Sequence, residues 1–599
     1  MANSVAASRG RPPLDYLNER ALLDAIHNKG RGDDDRISFR DSKDFVDMPI
    51  LCGDIGVVRD KLLSASDSST VLEENFDLPG SDLRACEPGD WSNEGAERLL
   101  TRTRGEGSTQ AMVRHIHSCW PELCKTSVAD VGENPGRHTL LRMPHKMFVP
   151  GSRFREQYYW DSYFTLQGLL VSDMLESAIH LIENLLFCVE RYGYVPNGTR
   201  SYYLGRTQPP LLSEMLVDLW NWVVTPTTTN NNSSNNNKSN KKRGEPSMVE
   251  RVKALLEKSL PLLVKEHAFV TSRERTVTLA RSGGQRAFDL VRYYAGTACP
   301  RPESHKEDVS SFREWKSRES GKRCSDGDGD GDGDGDGERE EEEEGNIYKE
   351  IATMAESGWD FSSRWLRDPN RLETSRITRM LPVDLNTIVA RMEGNVSQIA
   401  EIAGREEICN DFRSMSRIRF DAIDAILWDE VTNQWRDFVL DENPTLGPGG
   451  LQKSVSGKLS QSTCASNWLP LWGLPREKSK AAIASLESSG LLQEGGLATS
   501  LCNSGHQWDY PNAWAPLQYL IHQGLLSTEA DTGKALAETI ARNFLKNVQA
   551  TFSATGKMHE KYNAERVGHY GGGGEYVPQT GFGWTNGVVL KFLAEPGKF

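Results

Sequence analysis

Between residues 175 and 189, Leu175, Ala178, Ile179, Ile182, Leu185, Leu186 and Val189 recur at steps of mostly three or four. That period places the apolar side chains on one face of a helix, and such a face must be covered by another element. The same stripe recurs over 211–224, 249–264, 385–403, 412–428, 514–525 and 530–552, whereas alternating, strand-like runs are few. The body of the chain is therefore expected to be mainly α, built from helices packed on helices. No repeat of about 20 to 50 residues marks a solenoid. A toroid of paired helices needs no such repeat, so this architecture stays open.

Two stretches break the pattern. Residues 226–247 and 317–345 are polar, repetitive and nearly free of apolar side chains. Neither buries enough surface to offset the entropy of ordering, so both are expected to be disordered insertions. The second also distorts the charge. Residues 326–344 hold six Asp, six Glu and one Arg, a net −11, so the rest of the chain carries only −3 of the formal −14. A near-neutral body has no basic footprint for nucleic acid. The acidic run matches a calcium-loop pattern in two overlapping registers, from Asp330 and from Asp332, but Gly337 and Arg339 stand where an apolar residue is usual. Weak cation condensation is expected there rather than a built calcium site.

Apolar runs such as 185–189 fall far below the roughly 18 to 20 residues that span a bilayer, so no membrane segment is expected. The first forty residues hold no apolar signal segment with a small-residue cleavage site; a flexible N-terminal segment and a cytoplasmic protein are expected. The ten cysteines are scattered without a CxxC pair. Free thiols are expected rather than a zinc site or a disulfide framework.

The chemistry concentrates in five segments: PGSRFREQYYWD (150–161), RPES (301–304), ESGWDFSSRW (356–365), QWDYPNAW (507–514) and HEKY (559–562). Carboxylates and Arg hydrogen-bond in fixed planar geometry around hydroxyls, while Trp and Tyr cover the apolar faces of sugar rings. Together they are the equipment of a carbohydrate site, and a hydrolytic one needs two carboxylates dividing the labour as acid and base. The run Gly571–Gly574 lacks the Lys-Ser/Thr of a phosphate loop and suits a loop that closes over a ligand, with Glu575 at its end. At this level a disaccharide hydrolase, a phosphorolytic enzyme and a catalytically silent sugar-binding protein all remain open.

PGSRFREQYYWDSY and QWDYPNAWAP resemble the two signature segments of the trehalases, family 37 of the glycoside hydrolases. DSKDFVDMP, VPNGTRSYYLGRTQPP, RPES, AESGWDFSSRW, LPVDLN, NWLPLWG, GGLATS, EKYN and GGGGEYVPQTGFGWTNG follow in the family's order from about residue 40 to the C-terminus. The resemblance implies an (α/α)6 toroid occupying 41–599, with a pocket for α,α-trehalose. It implies Asp360 as general acid, Glu560 as general base, and an inverting reaction. Substrate-binding positions carry over as Arg153, Trp160, Asp161, Asn197, Arg206, Gln208, Arg301, Glu303, Gly358 and Glu575. Ser152 stands where the family usually has Gly. The implied chemistry requires no metal and no cofactor, and trehalose is the only partner it implies. Asn197 and Asn395 head literal glycosylation sequons that are expected to be unused.

Overall fold

The computed structural model describes residues 41–51, 55–64, 68–103, 105–225, 245–280, 287–326, 335–441, 456–473 and 477–595. The expectations for 1–40 and 226–244, and the calcium-loop positions Asp330 and Asp332, lie outside these residues. The long helices run in chain order as α1 (Ser108–Leu123), α2 (Tyr159–Val171), α3 (Leu175–Tyr192), α4 (Leu212–Val224), α5 (Pro246–Val270), α6 (His305–Asp326) and α7 (Gly335–Glu356). They continue as α8 (Val383–Ile402), α9 (Glu406–Ala422), α10 (Ser479–Ser488), α11 (Ala515–Ser527), α12 (Asp531–Thr555) and α13 (Gly583–Ala594).

Six of the helical segments close a ring. In order they are α2, α4, α8, the short 3-10 helix Ala465–Leu471, α11 and α13; each packs on the next, and α13 packs back on α2. Around them α1, α3, α5, α9, α10 and α12 form an outer layer. Inner and outer elements alternate along the chain, with the α6–α7 hairpin inserted between α5 and α8. This is the expected (α/α)6 toroid.

The two layers differ in how the sequence writes them. Outer helix α3 buries the apolar stripe from Leu175 to Val189 and ends on Gly193, whose φ of 93° is the left-handed conformation that glycine tolerates. Inner helix α2 is buried at all thirteen positions, Tyr159 through Val171. A helix packed on every side has no polar face and hence no amphipathic period. The seam between α2 and α13 is closer still. A Cβ on Gly587 would lie 1.9 Å from the Phe164 carbonyl oxygen, and one on Gly168 would lie 2.7 Å from Gly587 Cα. Glycine at both positions lets the two backbones touch.

Two expectations are corrected. The periodic stretch 412–428 is helical only to Ala422; Ile423–Leu427 forms a π turn and Trp428 begins a hairpin with Trp435. At that turn Trp435 Nε1 donates to Asp424 Oδ1 at 2.8 Å and ties the hairpin back onto it. The insertion at 317–345 is also not wholly disordered. Helices α6 and α7 extend into it from both sides, leaving 327–334 outside the described residues. Glu, Arg and Lys are strong helix formers, and the helices grow from an anchored base: Phe312 packs on Trp315 at 5.6 Å and on Tyr348 of α7 at 5.9 Å.

Among the described residues no helix is long and apolar enough to cross a membrane. Both sequon asparagines are buried, Asn395 within α8 and Asn197 in the pocket described next.

Candidate active site

One pocket opens at the N-terminal ends of the inner helices. Trp160 and Asp161 come from the first turn of α2, Gln208 from the approach to α4, Trp514 from the residue that starts α11, and Phe582 and Trp584 from the start of α13. Helix N-termini present unpaired N–H groups and partial positive charge, which favours ligand oxygens and carboxylates. The loop after α7 adds Gly358 and Asp360.

Eleven of the twelve residues selected from sequence line this one pocket: Arg153, Trp160, Asp161, Asn197, Arg206, Gln208, Arg301, Glu303, Gly358, Asp360 and Glu575. The twelfth, Glu560, does not line it. It is wholly buried at the pocket's edge, where Trp584 Nε1 donates to its carbonyl at 2.8 Å and the Gln579 amide donates to Oε2 at 3.2 Å.

Local backbone explains how Asp360 is aimed. Gly358 has φ +76°, and a Cβ there would lie 2.9 Å from the Trp160 indole, so both conformation and space demand glycine. The QWD segment then hooks the loop: Gln507 Nε2 donates to the Asp360 carbonyl, and the Trp508 amide donates to the Phe361 carbonyl at 3.0 Å. Asp509 accepts from Ser362 Oγ at 2.9 Å and from the Ser363 amide at 2.8 Å. Asp509 thus holds the loop that carries Asp360 and does not line the pocket.

Burial pushes the Asp360 carboxyl up to about 6, against the pull of Arg301 and Arg206. Burial also raises Glu560, opposed chiefly by Lys561, whose Nζ is 3.3 Å from Oε1. That contact is an ion pair without hydrogen-bond alignment, and Oε1 keeps its acceptor capacity. Asp161 is raised well above the ordinary range by burial, with Asp360 and Glu560 adding repulsion. Three carboxyls therefore sense one another in one place, the arrangement that separates acid from base.

A second layer of charge frames the pocket. Arg206 pairs with Glu303, and Arg301 donates from Nη2 to Asp308 at 2.6 Å and to Glu575 at 3.2 Å. Glu575 closes the glycine run over the pocket, and burial pushes its carboxyl to about 7. Arg153 is held by Asp41, 2.9 Å from Nη2 to Oδ1, and lies over the Tyr576 ring at 4.6 Å.

Sequence reasoning passed over several lining residues. Tyr576, Trp508, Trp514 and Trp584 lie inside the quoted motifs, yet nothing local distinguishes them from core aromatics. In the fold the three tryptophans form a continuous wall with Trp160, with Trp508 stacked on Trp514 at 4.0 Å and Trp160 6.0 Å from Trp584, while Tyr576 packs on Phe154 at 5.4 Å. Lys561 was also missed. It is fully buried, and besides Glu560 its Nζ donates to Gln507 Oε1 at 2.8 Å and to the Gly573 carbonyl at 3.0 Å. It joins the candidate base, the hook on the candidate acid and the glycine-rich loop. Elsewhere, His145, His180 and Glu183 lie together, half-exposed, but none of them lines the pocket.

The trehalase family pattern matches residues 38–597. A probable trehalase of Oryza sativa subsp. japonica is 38% identical over 546 residues, covering 89% of this chain and 87% of its own. Trehalases of Arabidopsis thaliana and Homo sapiens are 35% and 32% identical, each over 93% of this chain, covering 82% and 86% of their own length. Among solved structures, the neutral trehalase of Saccharomyces cerevisiae superposes with a TM-score of 0.53 at 24% identity, covering 75% of this chain and 73% of that one. The family pattern spans nearly the whole chain and the curated relatives share its length, so the chain belongs to the trehalase family of glycoside hydrolases.

Proposed function

We propose that this pocket hydrolyses α,α-trehalose to two glucose molecules, with Asp360 as general acid and Glu560 as general base. The observation that carries the assignment of roles is the contrast between their surroundings. Asp360 lies in the pocket with its carboxyl pushed up to about 6, so that it holds a proton in mildly acidic solution. Burial raises Glu560 as well, but a lysine whose Nζ is 3.3 Å from Oε1 opposes that rise and favours the ionised form, a partner that Asp360 does not have at that range among the described residues.

Trehalose joins two glucoses through both anomeric carbons, an inert acetal. Asp360 hands its proton to the bridging oxygen as that bond breaks. Glu560 takes a proton from a water that attacks the anomeric carbon from the opposite face, with Oε1 as the accepting atom. The leaving and arriving oxygens then occupy opposite faces, and configuration inverts. Arg206, Glu303 and Arg301 supply planar donors and acceptors for sugar hydroxyls, while Trp160, Trp508 and Tyr576 cover ring faces. Asn197 and Gln208 add amides that both donate and accept.

Proton NMR of the first turnovers tests the proposal. One α-glucose and one β-glucose per trehalose are expected; two α-glucoses would make the reaction retaining and overturn the roles, and no glucose release from trehalose would overturn the substrate.

A further inference from the structure

Outside the pocket lining, a small sheet holds two thiols against each other. β1 (Leu83–Ala85) pairs antiparallel with β2 (Cys124–Ser127), placing Ala85 opposite Lys125. One step further, Cys86 faces Cys124, and its amide donates to the Cys124 carbonyl at 3.2 Å. The two Sγ atoms lie 3.2 Å apart. Directly opposed strand residues have Cβ atoms about 4.5–5.5 Å apart, and a disulfide takes about 3.5–4.5 Å, so a small approach of the strands suffices to join them. Cys124 is wholly buried and Cys86 half-buried, so one sulfur of the pair is reachable from solvent. Nothing in the proposed hydrolysis uses either.

We propose that Cys86 and Cys124 are an oxidisable pair that closes to a disulfide by exchange with a low-molecular-weight disulfide such as oxidised glutathione. The half-buried Cys86, as thiolate, attacks one sulfur of glutathione disulfide; a mixed disulfide forms and one glutathione thiolate leaves. Cys124 then gives up its proton to the departing thiolate and attacks the Cys86 sulfur, displacing the second glutathione. Two protein thiols and one glutathione disulfide become one protein disulfide and two glutathiones. The order follows from access. Burial pushes the Cys124 thiol far up, and the neighbouring Cys86 raises it further, so Cys124 resolves rather than initiates.

The position gives the bond a consequence. Cys124 directly follows outer helix α1, so the closed loop contains all of α1. On its other side β2 pairs with β3 (Met147–Phe148), with Cys124 opposite Phe148, two residues before the pocket wall at Pro150. The bond would fasten the first outer helix to the sheet that leads into the substrate site, and it would restrict the unfolded chain more than the folded one.

The full-length protein is incubated with oxidised glutathione, alkylated without reduction, digested and read by mass spectrometry. The expected result is a joined pair of peptides carrying Cys86 and Cys124, lighter than their sum by two hydrogens. A rise of a few °C in the thermal midpoint should accompany it and be reversed by dithiothreitol. Cys86→Ser, at the half-buried position, should abolish both. Recovery of the two cysteines separately alkylated would overturn the proposal, as would glutathione retained on Cys86 with Cys124 free. A midpoint rise that persists in Cys86→Ser would overturn it too.

Discussion

Two buried arginine clusters lie on either side of the loop that carries Asp360, and they are wired differently. Arg364 donates to Asp437 from Nε and Nη2 and to Asp384 from Nη1 and Nη2, all within 2.9 Å, with its guanidinium over the rings of Trp359 and Trp365 at 4.6 and 4.1 Å. The carboxylates are completed by backbone: Val383 donates to Asp437 at 2.9 Å and Leu385 to Asp384 at 2.8 Å. In the pocket and at its edge, by contrast, Arg206 Nε and Glu303 Oε2, and Glu560 Oε1 beside them, are buried without an aligned partner. A buried polar atom left unmatched is costly, so a fold tolerates it where a ligand supplies the match. The Arg364 cluster is saturated; the charges of the site are not.

The contrast can be broken at four points. The largest effect should come from the carboxyls themselves. Asp360→Asn and Glu560→Gln should each lower kcat about a hundred- to ten-thousand-fold with the fold intact by circular dichroism; near-normal turnover in either would remove that residue from the chemistry. Next come matched neutralisations of the two clusters. Asp384→Asn should destabilise by about 2 kcal/mol in denaturant titration, because it takes one carboxylate from a fully matched cluster and leaves Arg364 only Asp437 as a charged partner. Glu303→Gln should cost under about 1 kcal/mol and appear instead as a fall in kcat/KM. Equal losses of stability would erase the distinction between scaffold and site.

A smaller effect tests the strain in the acid. Asp360 has an ordinary value of 3.8 when unfolded and about 6 when folded, so its contribution to stability is full below 3.8 and is lost as pH rises through about 6. At pH 7 the ionised carboxyl burdens the fold, and Asp360→Asn should raise stability by about 2 kcal/mol there and by nothing near pH 3. Under the proposed roles activity has the same sign: kcat/KM should decline as pH rises through about 6, where Asp360 loses its proton. The smallest effect concerns Lys561. Its charge opposes the rise of Glu560, so Lys561→Met should move the acidic limb of kcat/KM up by roughly one pH unit. An unmoved limb would mean that Lys561 only fills space.

How much of this was legible in the sequence follows from the layering. Helices such as α3 and α12 bury one face, and their period is plain. Helices α2 and α13 are buried nearly all round, carry no period, and were not read as helices; only the motifs at their starts, which hold Trp160 and Trp584, marked those stretches. Eleven site residues were located because each sits inside a dense local motif. Lys561 was not, because its meaning depends on partners 54 and 12 positions away, Gln507 and Gly573. The helical extensions of α6 and α7 were missed for the opposite reason: composition alone argues against burial, and it is the packing at Phe312 and Tyr348 that lets a polar helix persist.

The glycine seam between α2 and α13 bears on how the protein is made. Because the ring is shut by its last helix, the first inner helix waits through the synthesis of more than four hundred residues before its final neighbour, Gly583–Ala594, leaves the ribosome. Until then the strip of Phe164 and Gly168 that packs on Gly587 lacks that partner, although Trp120 of α1 already covers part of Gly168. A product stopped short of residue 583 displays that strip permanently, and chaperones and proteases read such surface as damage. The toroid thus inspects its own translation: only a finished chain can hide its oldest inner helix.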